Sequence, residues 1–263
     1  MSILNLFDIG RTSLITTRRA LDATAHNVAN ASTDGYNRQE VTLSSIPGSD
    51  YSSIGSIGRG VTISAVQRMY DSFTSLQLLT EKSNLSYWQT YQSGVTKIEN
   101  TFNEASDTGI YPAIADFFNA WQEVSQDPSA YAQRTSLLSK ANDLALRINR
   151  ASTSMYDTRQ DIYKSSQLLV DNANTALQKI AVLNEQIASN PGALDLRDQR
   201  DQLLEQVNEI VKVNIINDSN DRSTVLIGGT PLVDGGTVYK LSTSLDSDGK
   251  MHFAIDLPND TRD

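Results

Sequence analysis

Between residues 137 and 187, apolar side chains recur at alternating spacings of four and three. Leu137, Ala141, Leu144, Ile148, Ala151 and Met155 make one series, and Leu169, Ala173, Ala176, Ile180, Leu183 and Ile187 make a second. That alternation is the period of a helix whose seam faces another helix. Thr158, Ile162 and Ser166 link the two series through a 4-4 step, a stutter that locally unwinds a left-handed supercoil. The pattern predicts one helix over 130–189, about 90 Å long, stopped by Asn190-Pro191-Gly192. A chain organised round such an element is expected to be mainly α, an elongated bundle of long heptad-patterned helices.

The neighbouring segments fit that expectation. Phe7, Leu14, Leu21 and Val28 repeat every seven residues, with Leu4, Ile15, Ala20 and Ala25 widening the stripe. They predict a helix over 3–31 with one narrow apolar face that needs a partner. Further helices are expected at 70–105 and at 111–126, the latter ended by Asp127-Pro128, because the residue before proline avoids the helical region. The segment 193–213 reads as another helix with Leu196, Leu203, Val207 and Ile210 on one face. "SSIPGSDYSSIGSIGRG" (44–60) has the composition of a surface loop, and "GVTISAVQRMY" (60–70) that of a short strand. Beyond Lys212, "VNIIND", "STVLIGG", "TVYKLSTS" and "MHFAIDL" place β-formers between Gly, Asp and Asn turns. The expected organisation is therefore 1–45 helix and turn, 46–69 loop and short β segment, 70–212 helix bundle, and 213–263 the start of a β domain expected to continue.

Composition removes several classes of function. A net charge of -9 with no clustered Lys and Arg argues against nucleic acid, whose phosphates demand a basic face. The first forty residues balance Arg11, Arg18, Arg19 and Arg38 against Asp8, Asp22, Asp34 and Glu40, so they can associate without charge repulsion. The absence of Cys removes thiol catalysis, disulfides and thiolate metal sites. No basic leader with a cleavage site opens the chain, and no apolar run reaches membrane-spanning length. Neither a cleaved signal nor membrane insertion is expected.

Candidate chemistry is sparse. His26 and His252 stand alone, outside any metal or nucleophile motif, and read as surface or satisfied imidazoles. "GSIGRG" (55–60) has the wrong spacing for a phosphate loop, and "DSDG" (246–249) reads as a turn between strands rather than a calcium loop. In "RDQRD" (197–201), Arg197 and Asp201 stand four apart and are expected to pair on a helix surface. The Asn-x-Ser/Thr triplets at Asn30, Asn84 and Asn217 carry no weight in so polar a chain. No catalytic residue, cofactor or metal site is expected, and the chain is read as a non-enzymatic structural protein.

"HNVANASTDGYNRQ" (26–39) resembles the N-terminal signature of bacterial flagellar rod, hook and hook-associated proteins, at Asn27, Ala29, Asn30, Thr33, Gly35, Tyr36, Arg38 and Gln39. Asp34 stands where that family usually has Pro; Asp-Gly also makes a tight turn. "IADFFNAWQEVSQDPS", "RTSLLSKANDLALRIN", "LRDQRDQLLEQVNEIVKV" and "VLIGGTPLVDG" further resemble, in order, segments of the FlgK family of hook-associated junction proteins. The resemblance implies a structural subunit that joins hook to filament as copies of itself in a ring. The hook protein would lie on one side and the next hook-associated protein on the other. It also implies type III export to the extracellular flagellum without a cleaved signal, with an export chaperone for the full-length protein. Phe7, Leu14, Leu21 and Val28 would face an inner coiled-coil layer, and the signature turn would shape contacts between copies. The family's inner layer also uses a C-terminal heptad helix that this sequence lacks, so residues 1–31 are expected to be partly unpaired and mobile, or to dimerise. Alternatives are a rod or hook protein, disfavoured by the 130–189 seam, a fragment of the junction protein, a coiled-coil adaptor, and a glycan-cleaving enzyme needing two convergent carboxylates.

Overall fold

The computed structural model describes residues 3–48, 58–102 and 109–257, without the side chains of 3–5, 101 and 102. The side chain of Leu4 in the N-terminal stripe, residues 49–57 of the expected 44–60 loop, residues 103–108 and the last six residues lie outside that description. Five helices and eight strands are present among the described residues: α1 (Ile3–Ala29), β1 (Gln39–Ser45), β2 (Val61–Arg68), α2 (Ser72–Phe102), α3 (Ile110–Gln126), α4 (Tyr131–Ser189), α5 (Leu194–Ile210), β3 (Asn214–Asn217), β4 (Ser223–Ile227), β5 (Thr230–Asp234), β6 (Thr237–Val238), β7 (Lys240–Leu245) and β8 (Met251–Asp256). The mainly helical class and the small β region near the C-terminal end are as expected.

Two strands were not anticipated. The expected loop from residue 44 instead begins inside β1, which pairs antiparallel with β2 from Gln39↔Arg68 to Ser45↔Val61. "QEVTLSS" has too few β-formers to announce a strand; the hydrogen bonds of β2 supply what its propensity lacks. "TPLVD" is likewise strand β5, the middle of an antiparallel β3-β4-β5-β6 sheet. Its Pro231 lies in the register shift between Val225 and Leu226, where a missing donor is tolerated.

The chain forms two compact units, Met1–Ser83 with Ala173–Lys240 and Ile255–Asp263, and Asn84–Asn172 with Leu241–Ala254. In the first, the C-terminal part of α4 buries Ala173, Leu177, Ile180, Ala181 and Ile187; α5 adds Leu204 and Val207, and the sheet adds Val225, Leu232 and Val233. From Ala173 to Ile187 the α4 seam is thus a true core stripe, widened by Leu177 and Ala181, whereas Leu169, the first residue of that series, is 45% exposed. In the second unit the buried apolar residues among those described are Ala113, Ala120, Ala151, Val170 and Leu241. Its helices meet mainly through alanine, which allows close approach but buries little area. Its larger side chains stay outside: Tyr87, Trp88 and Tyr91 form an exposed ring cluster on α2.

The expected face of α5 is only partly right. Val207 is buried, but its fellow core residues are Leu204, Asp198, Arg200 and Asn208. Nor do Arg197 and Asp201 pair with each other. Arg197 Nε donates to Asp221 Oδ2 at 2.5 Å, and Asp201 accepts from Arg68 Nη1 at 2.8 Å. Helical spacing places the two within reach, but tertiary partners, Asp221 and Arg68, take both.

Candidate functional site: the signature turn and its seat on α5

Helix α1 packs on the β1-β2 hairpin mainly through small and polar residues, with Ile9 beside Gly60. Ile9, Thr12, Thr16, Ala20, Ala23, His26 and Asn27 are its sheltered positions, and Thr16 is buried, its hydroxyl donating to the Thr12 carbonyl at 2.6 Å with the Val61 carbonyl 3.4 Å away. The approach is close: a Cβ on Gly60 would overlap the Thr12 hydroxyl. The heptad stripe therefore points elsewhere. Phe7 is 71% exposed, Leu14 74%, Leu21 64% and Val28 72%.

At the end of α1 the signature residues tie one another down. Asn27 Nδ2 donates to the Gln39 carbonyl at 2.8 Å, and Gln39 N–H donates back to Asn27 Oδ1 at 2.8 Å. The Tyr36 hydroxyl donates to the same Asn27 oxygen at 2.8 Å and lies 2.9 Å from His26 Nδ1, where, its one proton spent, it accepts. His26 is thus a satisfied imidazole, as expected. Asn30 Nδ2 donates to the His26 carbonyl at 3.0 Å, and Thr33 Oγ1 donates to Asn30 Oδ1 at 3.2 Å. Gly35 has φ of +71°, a left-handed conformation that glycine adopts without steric cost. A Cβ there would overlap Gln202, whose amide donates to the Asp34 carbonyl. Arg38 stands apart, exposed and 3.4 Å from Glu40.

The turn is seated on α5. Asp198, nearly buried, accepts from Asn37 N–H at 3.2 Å, Asn37 Nδ2 at 2.7 Å and Arg68 Nη1 at 2.7 Å. Arg68 also holds Asp201 and stacks over Tyr70, 5.0 Å from its ring centre. Gln39 Nε2 donates to Asp195 Oδ1 at 2.8 Å. Burial, and then the Asp195 and Asp198 carboxylates, push the Tyr36 phenol above its ordinary value. Burial pushes the Asp201 carboxyl up despite Arg68 beside it. A cavity of about 360 Å³ lies next to the turn, with Tyr36, Tyr70, Leu76, Asp201 and Gln202 in its wall.

Sequence reading marked Asn27, Asn30, Thr33, Gly35, Tyr36, Arg38 and Gln39. The structure brings Asn27, Tyr36 and Gln39 into one network, sets Asn30 and Thr33 together, and leaves Arg38 at the surface. It adds Asn37, Arg68, Asp198 and Asp201. No sequence signal marked the two aspartates, because Asp198 and Asp201 share their helix face with Asp195, Gln202, Glu205 and Asn208 and read as part of a solvated face.

A second buried polar cluster supports α5 from behind. Arg200 Nη1 donates to Asn184 Oδ1 at 3.2 Å and to the Asp221 carbonyl, and Nη2 reaches Asp221 Oδ1 at 3.2 Å. Burial raises the Asp221 carboxyl, but Arg197 and Arg200 outweigh it and hold the group below the usual range.

The family model for the flagellar hook-associated protein FlgK helical domain matches residues 95–263, well over half of the chain. The chain belongs to the FlgK family of flagellar hook-associated proteins. A model for the flagella basal body rod protein matches residues 7–37, which include most of the signature turn. Flagellar hook-associated protein 1 of Bacillus subtilis is 28% identical over 95% of this chain and 52% of its own length. That of Escherichia coli is 27% identical over 90% and 44%, and that of Salmonella typhimurium 29% over 90% and 44%. The chain thus spans about half the length of the curated relatives it matches. A solved structure, described as the flagellar hook junction protein FlgK from Burkholderia pseudomallei, superposes with a TM-score of 0.61 at 27% identity, covering 68% of this chain and 33% of that one. Among the described residues, no helix is long and apolar enough to cross a membrane.

Proposed function

We propose that the chain serves as a structural, non-enzymatic part of the hook-filament junction of a bacterial flagellum, assembling with copies of itself in a ring. One observation carries this reading: α1 is packed on a face of mainly small and polar residues and leaves Phe7, Leu14, Leu21 and Val28 exposed in a heptad line. A folded protein exposes such a stripe where another helix is to cover it. The signature turn then acts chiefly as a mount. Through Asn37, Arg68 and Asp198 it sets the direction of α1 relative to α5, and Arg38, at the surface, is left for contacts between copies. The hook protein and the next hook-associated protein are the axial partners in this reading, and the chain reaches the flagellum by type III export without a cleaved signal, with an export chaperone serving the full-length protein.

The test is electron microscopy of a strain lacking the gene, with flagellin assayed in the medium and complementation by the 263-residue form. Hooks without filaments, shed flagellin and rescue are the expected results. Normal filaments in the deletion strain would refute the assignment.

A further inference from the structure

The stutter in α4 and the aromatic side of α3 are two features of the Asn84–Asn172 unit that the reading above leaves unused. At the stutter the α4 seam presents Met155, Thr158 and Ile162, with small Thr158 at the centre. A cleft of about 530 Å³ opens there between α2, α4 and the β7-β8 hairpin, walled mainly by Ile98, Met155, Ile162, Leu245 and Met251. Two methionines make the wall adaptable. Arg159 also lines it, exposed, with its guanidinium 5.3 Å from the Tyr156 ring centre and no carboxylate within ion-pair distance among the described residues. Gly249, with φ of +73°, keeps that place open, because a Cβ there would overlap the guanidinium. An apolar cleft with an unpaired cation in its lining suits an apolar occupant with a negative end.

Helix α3 has that form. Ala113 and Ala120 are its buried face, and a second apolar line, Tyr111 (73% exposed), Ile114, Phe118 (62%) and Trp121 (58%), follows the 3-4-3 helical spacing in solvent. None of these four lines the cleft. The helix carries no basic residue, and its C-terminal end, one turn past Trp121, has no basic side chain to offset the helix dipole and is followed by Asp127. Trp and Arg are among the residues enriched in interface hot spots, and indole is the best aromatic partner for a cation.

We infer that the C-terminal half of α3 on one copy docks into the cleft of a neighbouring copy, with Phe118 and Trp121 entering and Arg159 facing the helix end. The contact joins two different surfaces, and such head-to-tail contacts close into rings or run on as helices. It deepens the ring reading by naming one of its interfaces, and it rests on that reading for its place in the flagellum.

The experiment uses a photo-crosslinking benzoylphenylalanine in place of Trp121. It is placed in the complemented strain, with immunogold labelling of the junction, and in a concentrated mixture of ordinary and ¹⁵N-labelled purified protein. The expected adduct joins residue 121 of one copy to the 155–162 or 245–251 peptide of another, identified by mass spectrometry from its mixed isotopes. Arg159→Glu should cut its yield at least about fivefold while circular dichroism shows the fold unchanged. An adduct within a single chain, an adduct to another protein, or no adduct in either preparation would overturn the inference. Absence of label from the junction would sink the proposed function alone, since the mixed-isotope adduct is read without flagella.

Discussion

Asn184 offers the sharpest test of how the first unit is held together. It sits on α4 with 0% exposure and spends its whole amide. Nδ2 donates to the carbonyls of Ser223 and Gly235, each at 2.9 Å, and Oδ1 accepts from Ser223 N–H at 2.9 Å and Arg200 Nη1 at 3.2 Å. Asn184→Ala strands three main-chain groups, while Arg200 keeps Asp221. At about 1–3 kcal/mol for each buried group left unpaired, and with less than full additivity, the loss is about 3–5 kcal/mol. With an m-value of about 2 kcal/mol/M, the urea midpoint of this unit falls by about 2 M. Trp88 and Trp121 both belong to the other unit, so the assay is hydrogen exchange at Ser223 and its strand across a urea series, with tryptophan fluorescence as the internal control. A midpoint shift below about 0.3 M in Asn184→Ala would show that water replaces the amide without cost, and the reasoning would fail.

Other outcomes follow from the same geometry. Asp198→Ala removes three hydrogen bonds and leaves Arg68 with Asp201 only, and should destabilise the first unit by about 2–4 kcal/mol, with faster exchange over 33–45. Asp201→Asn should cost less, because burial already opposes that carboxylate's charge; denaturant melts of the two variants would rank them. The Asp221 carboxyl is held below its unfolded value near 3.9, so its contribution is present above that pH and is lost as pH falls through the folded value. The stability gap between wild type and Asp221→Asn should accordingly shrink below about pH 4, as read by acid titration of exchange-detected stability. Gly35→Ala, at φ +71° and against Gln202, should cost about 1–2 kcal/mol by urea denaturation. Leu14→Asp should leave monomer stability within about 0.5 kcal/mol but abolish rescue of the deletion strain, since its side chain touches little within the chain.

The long helices were legible because periodicity and breakers are local properties. Asp127-Pro128 and Asn190-Pro191-Gly192 mark ends that any chain must respect, and the 3-4 alternation between them leaves no period for a strand. The glycine of the signature turn was legible for the same reason. Tertiary structure alone decided which face of each helix is covered. The stripe of Phe7, Leu14, Leu21 and Val28 looks like a packing face, yet Thr12, Thr16 and Ala20 meet the hairpin, because only small side chains allow strand and helix to approach where Gly60 touches Thr12. The "RDQRD" run satisfies helical spacing, but Arg68, 133 positions away from Asp201, and Asp221, 24 positions from Arg197, take its charges. A buried charge is settled by whichever partner the fold brings nearest, and sequence spacing measures that distance only within a single helix.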